Sequence, residues 1–232
     1  MRGELVQMRL TIPLGKVRAA EMMPVFQEMS DALVEAMVRQ VEREGKKVSC
    51  RLGCTACCHQ LIPVSEVEAL HLAEYVRSLP AERRAEMEER FAEALRQMEE
   101  AGVLQPLREP ETRGERTLRE IGLTYLAHRI RCPFLEDGAC SIHADRPLGC
   151  REYLVTSPSE NCWTPSPETV EAVPMPARMS GALITIGQPQ GPFVPLALAL
   201  EFAAAGAGDR YRERPGPELL QHAVENLTRK PL

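Results

Sequence analysis

Apolar residues recur at helical spacing between residues 17 and 44, and this pattern predicts one long amphipathic helix there. The apolar stripe consists of Met22, Val25, Phe26, Met29, Leu33, Met37 and Val41. Methionine can bind soft metals, but it routinely fills irregular gaps in a core, so we interpret this stripe as packing. Gly45 is expected to end the helix.

Capping signals and periodicity predict more helices downstream. Ser65-Glu-Val-Glu68 has the capping-box pattern, which predicts a helix to about Leu79. Pro80 suits the first turn of the next helix, which should run to about Ala101 and stop at Gly102. The later segments predicted to be helical are 116–130, the alanine-rich 192–205 and about 217–229. The segments predicted to be irregular are 105–115 and the proline-rich stretch after residue 158.

These elements predict a mainly α fold, a helical scaffold that carries cysteine-rich loops and one short β-hairpin at about 132–142. We expect residues 1–232 to form a single domain with a metal-binding core at 48–162. The helix of residues 17–44 precedes this core, and a proline-rich, then helical extension of residues 163–232 follows it.

Composition excludes some partners. Apolar residues make up 44% of the chain, which allows a real core, while aromatic residues make up only 4%. The net charge is −5, and no block of Lys and Arg is long enough to track a phosphate backbone. With so few aromatic residues to stack on bases, we expect no nucleic-acid partner.

The first ten residues are interrupted by Glu4, Gln7 and Arg9, so we expect no signal peptide. No segment reaches the roughly 18–20 apolar residues that cross a bilayer, so we expect no membrane partner. These observations predict a cytoplasmic protein. Thiols stay reduced in the cytoplasm, where clustered cysteines indicate a metal site more often than disulfides.

The eight cysteines fall into two regions and are the most chemically specific feature of the chain. All eight are candidate metal ligands: Cys50, Cys54, Cys57, Cys58, Cys132, Cys140, Cys150 and Cys162. The two-residue gap between Cys54 and Cys57 lets both reach one metal, and Gly53 permits the tight turn before them. Adjacent Cys57 and Cys58 must diverge, so one of them would reach a second metal or pack.

The second region begins at Cys132 and contains the turn signal Asp137-Gly138. A two-residue loop would place Cys132 and Cys140 on opposite faces of the hairpin. A three-residue loop, 136–138, would pair Phe134 with Cys140 and put both cysteines on one face. We therefore predict the three-residue loop if both cysteines bind one metal.

Several neighbouring residues have open roles. Arg146 and Arg151 either donate to cluster sulfides and offset thiolate charge or pair on the surface with Asp145 and Glu152. Cys162, beside Trp163, is either a ligand or a buried free thiol. The two histidines inside the cysteine regions are ligand or supporting-donor candidates: His59 and His143.

These residues resemble a known family, the YkgJ-type cysteine-cluster proteins named for a CxxCxxCC motif. The resemblance covers about residues 48–155 and rests on the first cysteine cluster, Cys132-Pro-Phe-Leu, Gly138-x-Cys140-Ser-Ile and Arg146-Pro-x-x-Cys150-Arg151. The first gap has three residues here instead of two. The resemblance implies chelation of zinc or iron. It also extends to flagellin lysine N-methylases, which are associated with S-adenosylmethionine.

Three enzyme classes share parts of this pattern, and each conflicts with its context. Cys50-x3-Cys54-x2-Cys57 has the spacing of radical S-adenosylmethionine enzymes, but it lies between helices, not after a barrel strand. A conventional methyltransferase needs a glycine-rich loop and a nucleotide fold, and the only candidate loop, 205–209, comes too late in the chain. A thiol-redox enzyme needs a βαβ setting.

The leading hypothesis is therefore a metal-binding protein whose zinc ion or iron–sulfur cluster holds the fold together. The alternative is a cluster-dependent enzyme, with S-adenosylmethionine-linked methyl transfer to a protein lysine as its reaction. Cysteines from residues 50–58 and from 132–150 would complete one site. The diverging pair Cys57-Cys58 favours two metals or a polynuclear cluster.

Overall fold

The structure, a computed structural model, describes residues 6–51, 53–186 and 193–227. The α-helices within these ranges are α1 (Met23–Arg43), α2 (Glu66–Ser78), α3 (Ala81–Glu100), α4 (Leu104–Arg108), α5 (Leu118–Ala127), α6 (Leu148–Glu152), α7 (Met179–Leu183), α8 (Ala199–Ala204) and α9 (Gly216–Glu225). The strands are β1 (Lys16–Val17), β2 (Pro63–Val64), β3 (Leu135–Glu136), β4 (Ala139–Cys140), β5 (Val194–Pro195) and β6 (Arg214–Pro215). The predicted mainly α fold with one short hairpin is confirmed.

The long N-terminal helix begins later than predicted. Residues 16–17 are extended and pair with β6, and a 3₁₀ turn at Ala19–Met22 precedes α1. Pro24 lies in the first turn of α1, where its missing N–H costs no hydrogen bond. The predicted end is confirmed, because Gly45 adopts φ 80° just beyond the last turn.

The two central helices start and stop where their capping signals predict. The Ser65 Oγ accepts from the Glu68 N–H at 3.2 Å, and the Glu68 carboxylate accepts from the Ser65 N–H at 2.9 Å. This capping box opens α2. Helix α3 ends before Gly102, which adopts φ 63°.

Four other predictions differ from the structure. The predicted helix at 192–205 is not continuous, because β5 and a 3₁₀ turn at Leu196–Leu198 precede α8, and residue 192 lies outside the described residues. Residues 105–115 are not a loop, because α4 and a 3₁₀ turn at Pro110–Arg113 occupy them. Helix α5 ends at Ala127, well before the predicted residue 130, since Arg129 takes a left-handed φ of 55°. Helix α9 ends at Glu225, and positions 228–229 of the predicted helix lie outside the described residues.

The predicted hairpin exists, but its predicted loop, 136–138, is wrong. Strands β3 and β4 pair with Leu135 opposite Cys140, which leaves a two-residue loop of Asp137 and Gly138. These two residues adopt φ values of 43° and 74°. Positive φ at both central positions is what a type I′ turn requires, and Asp-Gly is a favoured pair for it.

The two-residue loop nevertheless leaves Cys132 and Cys140 together, against the prediction that it would separate them. The Leu135 N–H donates to the Cys132 carbonyl at 2.9 Å, so the chain turns before β3 begins. The alternation of faces applies only to extended residues, and Cys132 is not one of them.

Buried side chains form two large apolar clusters and one small one. The large central cluster combines residues of α2, α3 and α5 with both ends of the hairpin region. The N-terminal cluster packs α1 against α7 and α9, and its buried residues include Met22, Met23 and Met29. The interpretation of these methionines as core residues is therefore confirmed. The small cluster has three buried members, Ala56, Val155 and Cys162.

The two strand pairs outside the hairpin join distant parts of the chain. Strand β1 pairs with β6, and β2 pairs with β5. The Leu196 N–H extends the second pair by donating to the Ile62 carbonyl at 2.9 Å. This contact fixes the C-terminal half of the chain beside the first cysteine segment. Within the described ranges, no helix has both the length and the apolar character needed to cross a membrane.

Candidate metal centre

One cavity of about 260 Å³ gathers cysteines from both regions of the chain. The seven that line it are Cys50, Cys54, Cys57, Cys58, Cys132, Cys140 and Cys150. All eight cysteines of the chain are free thiols in the structure. Cys162, the one outside this lining, lies close enough to Cys50, Cys54 and Cys57 to interact with them electrostatically.

Tight backbone turns present the first group of thiols. Gly53 adopts φ 83°, the left-handed conformation that its place before Cys54 predicts. The Cys54 N–H then donates to the Arg51 carbonyl at 3.0 Å. A 3₁₀ turn at Ala56–His59 carries the next two cysteines and begins with a bond from the Cys58 N–H to the Thr55 carbonyl at 2.9 Å.

A direct backbone bond brings the second region to the first. The Cys132 N–H donates to the Cys58 carbonyl at 2.7 Å. Cys150 arrives from α6, whose first turn includes a bond from its N–H to the Pro147 carbonyl at 3.0 Å. Residues more than seventy positions apart in the sequence therefore share one cavity wall.

The thiols divide between two apolar environments. Cys58, Cys132 and Cys140 belong to or pack against the large central cluster, whereas Cys50 and Cys162 belong to or pack against the small cluster. Cys57 interacts electrostatically with members of both sets, including Cys50, Cys140 and Cys162. It is therefore the thiol that links the two halves of the cavity.

Burial and mutual repulsion keep most of these thiols protonated in the metal-free chain. Burial raises the pKa of Cys132 to about 12 and that of Cys150 well above its usual value. Cys57 is the exception. A hydrogen bond from the Cys58 thiol, together with the positive charge of Arg146, lowers the pKa of Cys57 to about 7. Cys58 is correspondingly harder to ionise, since its hydrogen bond to Cys57, its own burial and the charge on Cys57 all raise its pKa.

Arg146 supplies positive charge at the cavity wall. Its side chain lines the cavity, and Nη1 lies 3.1 Å from His143 Nε2. Its Nε is buried and has no hydrogen-bond partner among the described residues. A buried donor without a partner is costly, so this atom suits an acceptor such as a thiolate or sulfide inside the cavity. The residues present therefore fit an anionic metal–thiolate group.

Arg151 has a different role from both sequence alternatives. Its Nη1 donates to both carboxylate oxygens of Asp31 at 2.7–2.8 Å, and its Nε donates to the Arg146 carbonyl at 3.0 Å. It therefore ties α6 to α1 and holds the backbone of Arg146. Sequence reasoning missed Asp31 because no local motif connects residues 120 positions apart.

The remaining candidates, Cys162, His59 and His143, differ in their position relative to the cavity. The Tyr153 hydroxyl donates to the Cys162 thiol, and Gln60 Nε2 donates to the Cys162 carbonyl at 3.0 Å. His59 Nδ1 lies 3.1 Å from the Arg129 carbonyl, and its ring centroid is 5.0 Å from that of Trp163. Of the two histidines considered as ligands, only His143 lines the cavity.

The thiols line the cavity without forming a ready-made single-ion site. In the part of the chain that the structure describes, no group of three or more histidine, cysteine, aspartate and glutamate side chains is arranged to hold a metal ion. Metal binding would be coupled to deprotonation of these thiols and to folding of the chain around the ion. Such coupling between metal binding, deprotonation and local folding is typical of thiolate sites.

Comparison with known proteins identifies the same segment. The sequence model of a family named CxxCxxCC, described as "Putative zinc- or iron-chelating domain", matches residues 49–168. The match covers more than half of the chain and includes all eight cysteines. The resemblance predicted from the sequence is confirmed. No curated protein and no solved structure matches the chain.

Proposed function

The chain belongs to the CxxCxxCC family of zinc- or iron-chelating domains, and from this premise we propose that it holds a polynuclear metal centre in the cysteine cavity. The ligands in this proposal are the seven cysteines that line the cavity, and Cys57 is shared between two metal positions. The observation that carries it is the number of thiols, since seven exceed the four that one tetrahedral ion takes.

The division of the thiols between the large and the small apolar cluster supports two metal positions. One position would draw on Cys50 and Cys54 and the other on Cys58, Cys132, Cys140 and Cys150, with Cys57 bridging. Cys57 suits this role because it interacts with thiols of both sets, and the hydrogen bond from the Cys58 thiol lowers its pKa. The prediction that Cys162 is a ligand stays a prediction, since this thiol lies beside the first position but outside the cavity lining.

Zinc and iron–sulfur ligation both suit this donor set. Zinc would cross-link the two cysteine regions, and an iron–sulfur cluster would add one-electron chemistry. Arg146 would offset the negative charge of the thiolates in either case, because its side chain lines the cavity. The reduced thiols that either metal needs accord with the predicted cytoplasmic location.

Anaerobic purification followed by metal analysis and a visible spectrum tests the proposal. We expect at least two metal ions per chain, colourless if zinc and brown if iron–sulfur. Cys57→Ser should reduce the metal content more than Cys50→Ser or Cys132→Ser does, because each of the latter belongs to one position only. One tightly bound ion per chain, unaffected by Cys57→Ser, would contradict the shared ligand.

We do not extend the proposal to S-adenosylmethionine-linked methyl transfer. A conventional nucleotide-binding α/β fold places its ligand at the carboxyl ends of parallel strands. The described strands form only antiparallel two-stranded pairs. The loop at 205–209, considered for this role, follows α8 and contributes to a 3₁₀ turn.

A further inference from the structure

A second cavity of about 320 Å³ adjoins the cysteine cavity. Four residues line both cavities and so form the wall between them: Cys57, Cys150, Ile62 and Tyr153. Small-molecule sites in proteins have volumes of roughly 300–1,000 Å³, so this cavity is at the lower end of that range. Any occupant would contact two of the proposed metal ligands from the side opposite the metal.

The lining of this second cavity is mainly apolar. The apolar side chains that face it are Leu61, Ile62, Pro63, Val64, Ile184 and Phe193. The carboxylate of Glu68 also faces it, but that group accepts bonds from the Leu148 N–H at 2.8 Å and from the Ser65 N–H and hydroxyl, each at 2.9 Å. Glu68 is therefore already engaged in holding α2 and α6.

Arg178 is the one cationic side chain among the described residues of this lining. Its guanidinium has no hydrogen bond or ion pair within the described part of the chain. Burial raises the pKa of the neighbouring Glu152 carboxyl, and the positive charge of Arg178 partly offsets that rise. The Glu152 oxygens already accept from the Met179 and Ser180 N–H groups at 2.7 and 3.2 Å. Among the described residues, the donors of Arg178 are therefore available to a ligand.

We propose that this cavity binds a small organic carboxylate beside the metal centre. Its carboxylate would accept bidentate bonds from Arg178, and its apolar body would contact Val64, Ile184 and Phe193. A single guanidinium in an apolar surround suits a monoanion better than a phosphate, which attracts several cations or backbone N–H groups. The inference rests on the proposed function, since it places the carboxylate against ligands of the metal.

Calorimetry on metal-loaded protein tests this site, with hexanoate as the probe and hexanamide as its uncharged match. We expect hexanoate to bind about tenfold more tightly than hexanamide. The carboxylate is charged and accepts two bonds from the Arg178 guanidinium, whereas the amide is uncharged. Hexanoate should also shift the visible spectrum of the centre, recorded with Co²⁺ in place of zinc or with the native cluster if the metal is iron.

Two variants and one control locate the binding. Arg178→Gln should remove the preference for hexanoate, and Ile184→Trp should fill the cavity and abolish binding of both probes. Arg119→Gln, an exposed arginine that lines neither cavity, should leave both affinities unchanged. Metal content measured on every variant shows whether each has folded and loaded.

The outcomes separate this inference from the proposed function. Normal metal content with no preference for hexanoate over hexanamide, or an unchanged preference in Arg178→Gln, would overturn the carboxylate site and leave the metal centre standing. Failure of the wild-type protein to retain metal would overturn the proposed function, and the inference with it.

Discussion

The two sides of the cysteine cavity are supported in different ways. On one side, Cys58, Cys132 and Cys140 rest on the large central cluster, which includes the fully buried Phe134 and its edge-on neighbour Phe91, 5.5 Å away between centroids. On the other side, the small cluster has only three buried members. Apolar burial contributes roughly 25 cal/mol per Å², so it stabilises the first side far more than the second.

Backbone bonds and ring contacts hold the second side in place of a core. The Ser49 N–H donates to the Val155 carbonyl at 3.0 Å, and Val155 also forms an isolated bridge with Ala172. Arg129 covers the Trp163 ring at 4.2 Å from its centroid. One side can therefore fold on apolar packing alone, whereas the other should depend on the metal.

Removal of the metal should have the largest effect on stability. It should loosen mainly the side of the cysteine cavity that rests on the small cluster. Structural zinc contributes roughly 10–16 kcal/mol of apparent binding free energy in small thiolate sites. After chelation, amide exchange should accelerate in segments 53–59 and 153–163, while α3 keeps its protection. Hydrogen-exchange mass spectrometry measures this. Uniform acceleration across the chain would show that both sides of the cavity depend on the metal equally.

Truncation of a side chain in the large cluster should lower the stability of the fold and leave metal binding unchanged. Phe91→Ala should lower the free energy of unfolding by about 3–5 kcal/mol, the usual cost of deleting a buried phenyl ring. Metal content in the absence of denaturant should not change, because Phe91 does not line the cysteine cavity. Denaturant titration and metal analysis check this, with Phe91→Leu as the milder control. Loss of metal in Phe91→Ala would show that the two sides are not independent.

Glu68 links α2, which belongs to the large cluster, to the start of α6, which carries Cys150. Its loss should therefore affect both the stability of the fold and the binding of metal. Glu68→Ala leaves the buried N–H groups of Ser65 and Leu148 without their acceptor, which should cost about 1–3 kcal/mol. Metal should also dissociate faster, because the Leu148 N–H bond fixes the start of α6, which carries Cys150. The matched control is Glu120→Ala, which breaks the exposed capping box of α5. Equal effects of the two substitutions would contradict this link.

The smallest expected effect concerns the contact between Arg129 and Trp163, a residue that packs against the small cluster. Arg129→Gln removes the cation from the Trp163 ring and should cost about 0.5–1 kcal/mol, as is usual for exposed contacts of this kind. Trp163 is the one tryptophan of the chain, so its fluorescence reports directly on this side during chelation. In a titration with chelator, the chelator concentration at the midpoint of the fluorescence change should shift in Arg129→Gln and stay the same in Arg119→Gln.

The sequence predicted best those elements whose signals are local. The capping box of Ser65 and Glu68 and the stop at Gly102 depend on residues within one turn of each other, and both are confirmed. The gathering of distant cysteines was expected because thiolates have few other reasons to cluster. The expectation that residues 1–232 form a single domain stays a prediction.

Other features depend on contacts that no local pattern encodes. Strand pairs of two residues, such as β2 with β5, are too short to show alternation. The hairpin register was mispredicted because alternation was extended to Cys132, where the chain already turns. The partnership of Arg151 with Asp31 and the cavity beside Arg178 arise only when helices far apart in sequence pack together.

The pairing of β2 with β5 has a consequence for how this protein could diversify. It brings Phe193 to the wall of the second cavity, and Arg178 and Ile184 also lie beyond residues 49–168, the segment that the family shares. In the proposed carboxylate site, part of the lining therefore comes from outside the shared segment, whereas all seven cysteines of the cysteine cavity lie within it. Substitutions after residue 168 could retune selectivity while every cysteine stays in place, which makes this tail the natural place to begin engineering.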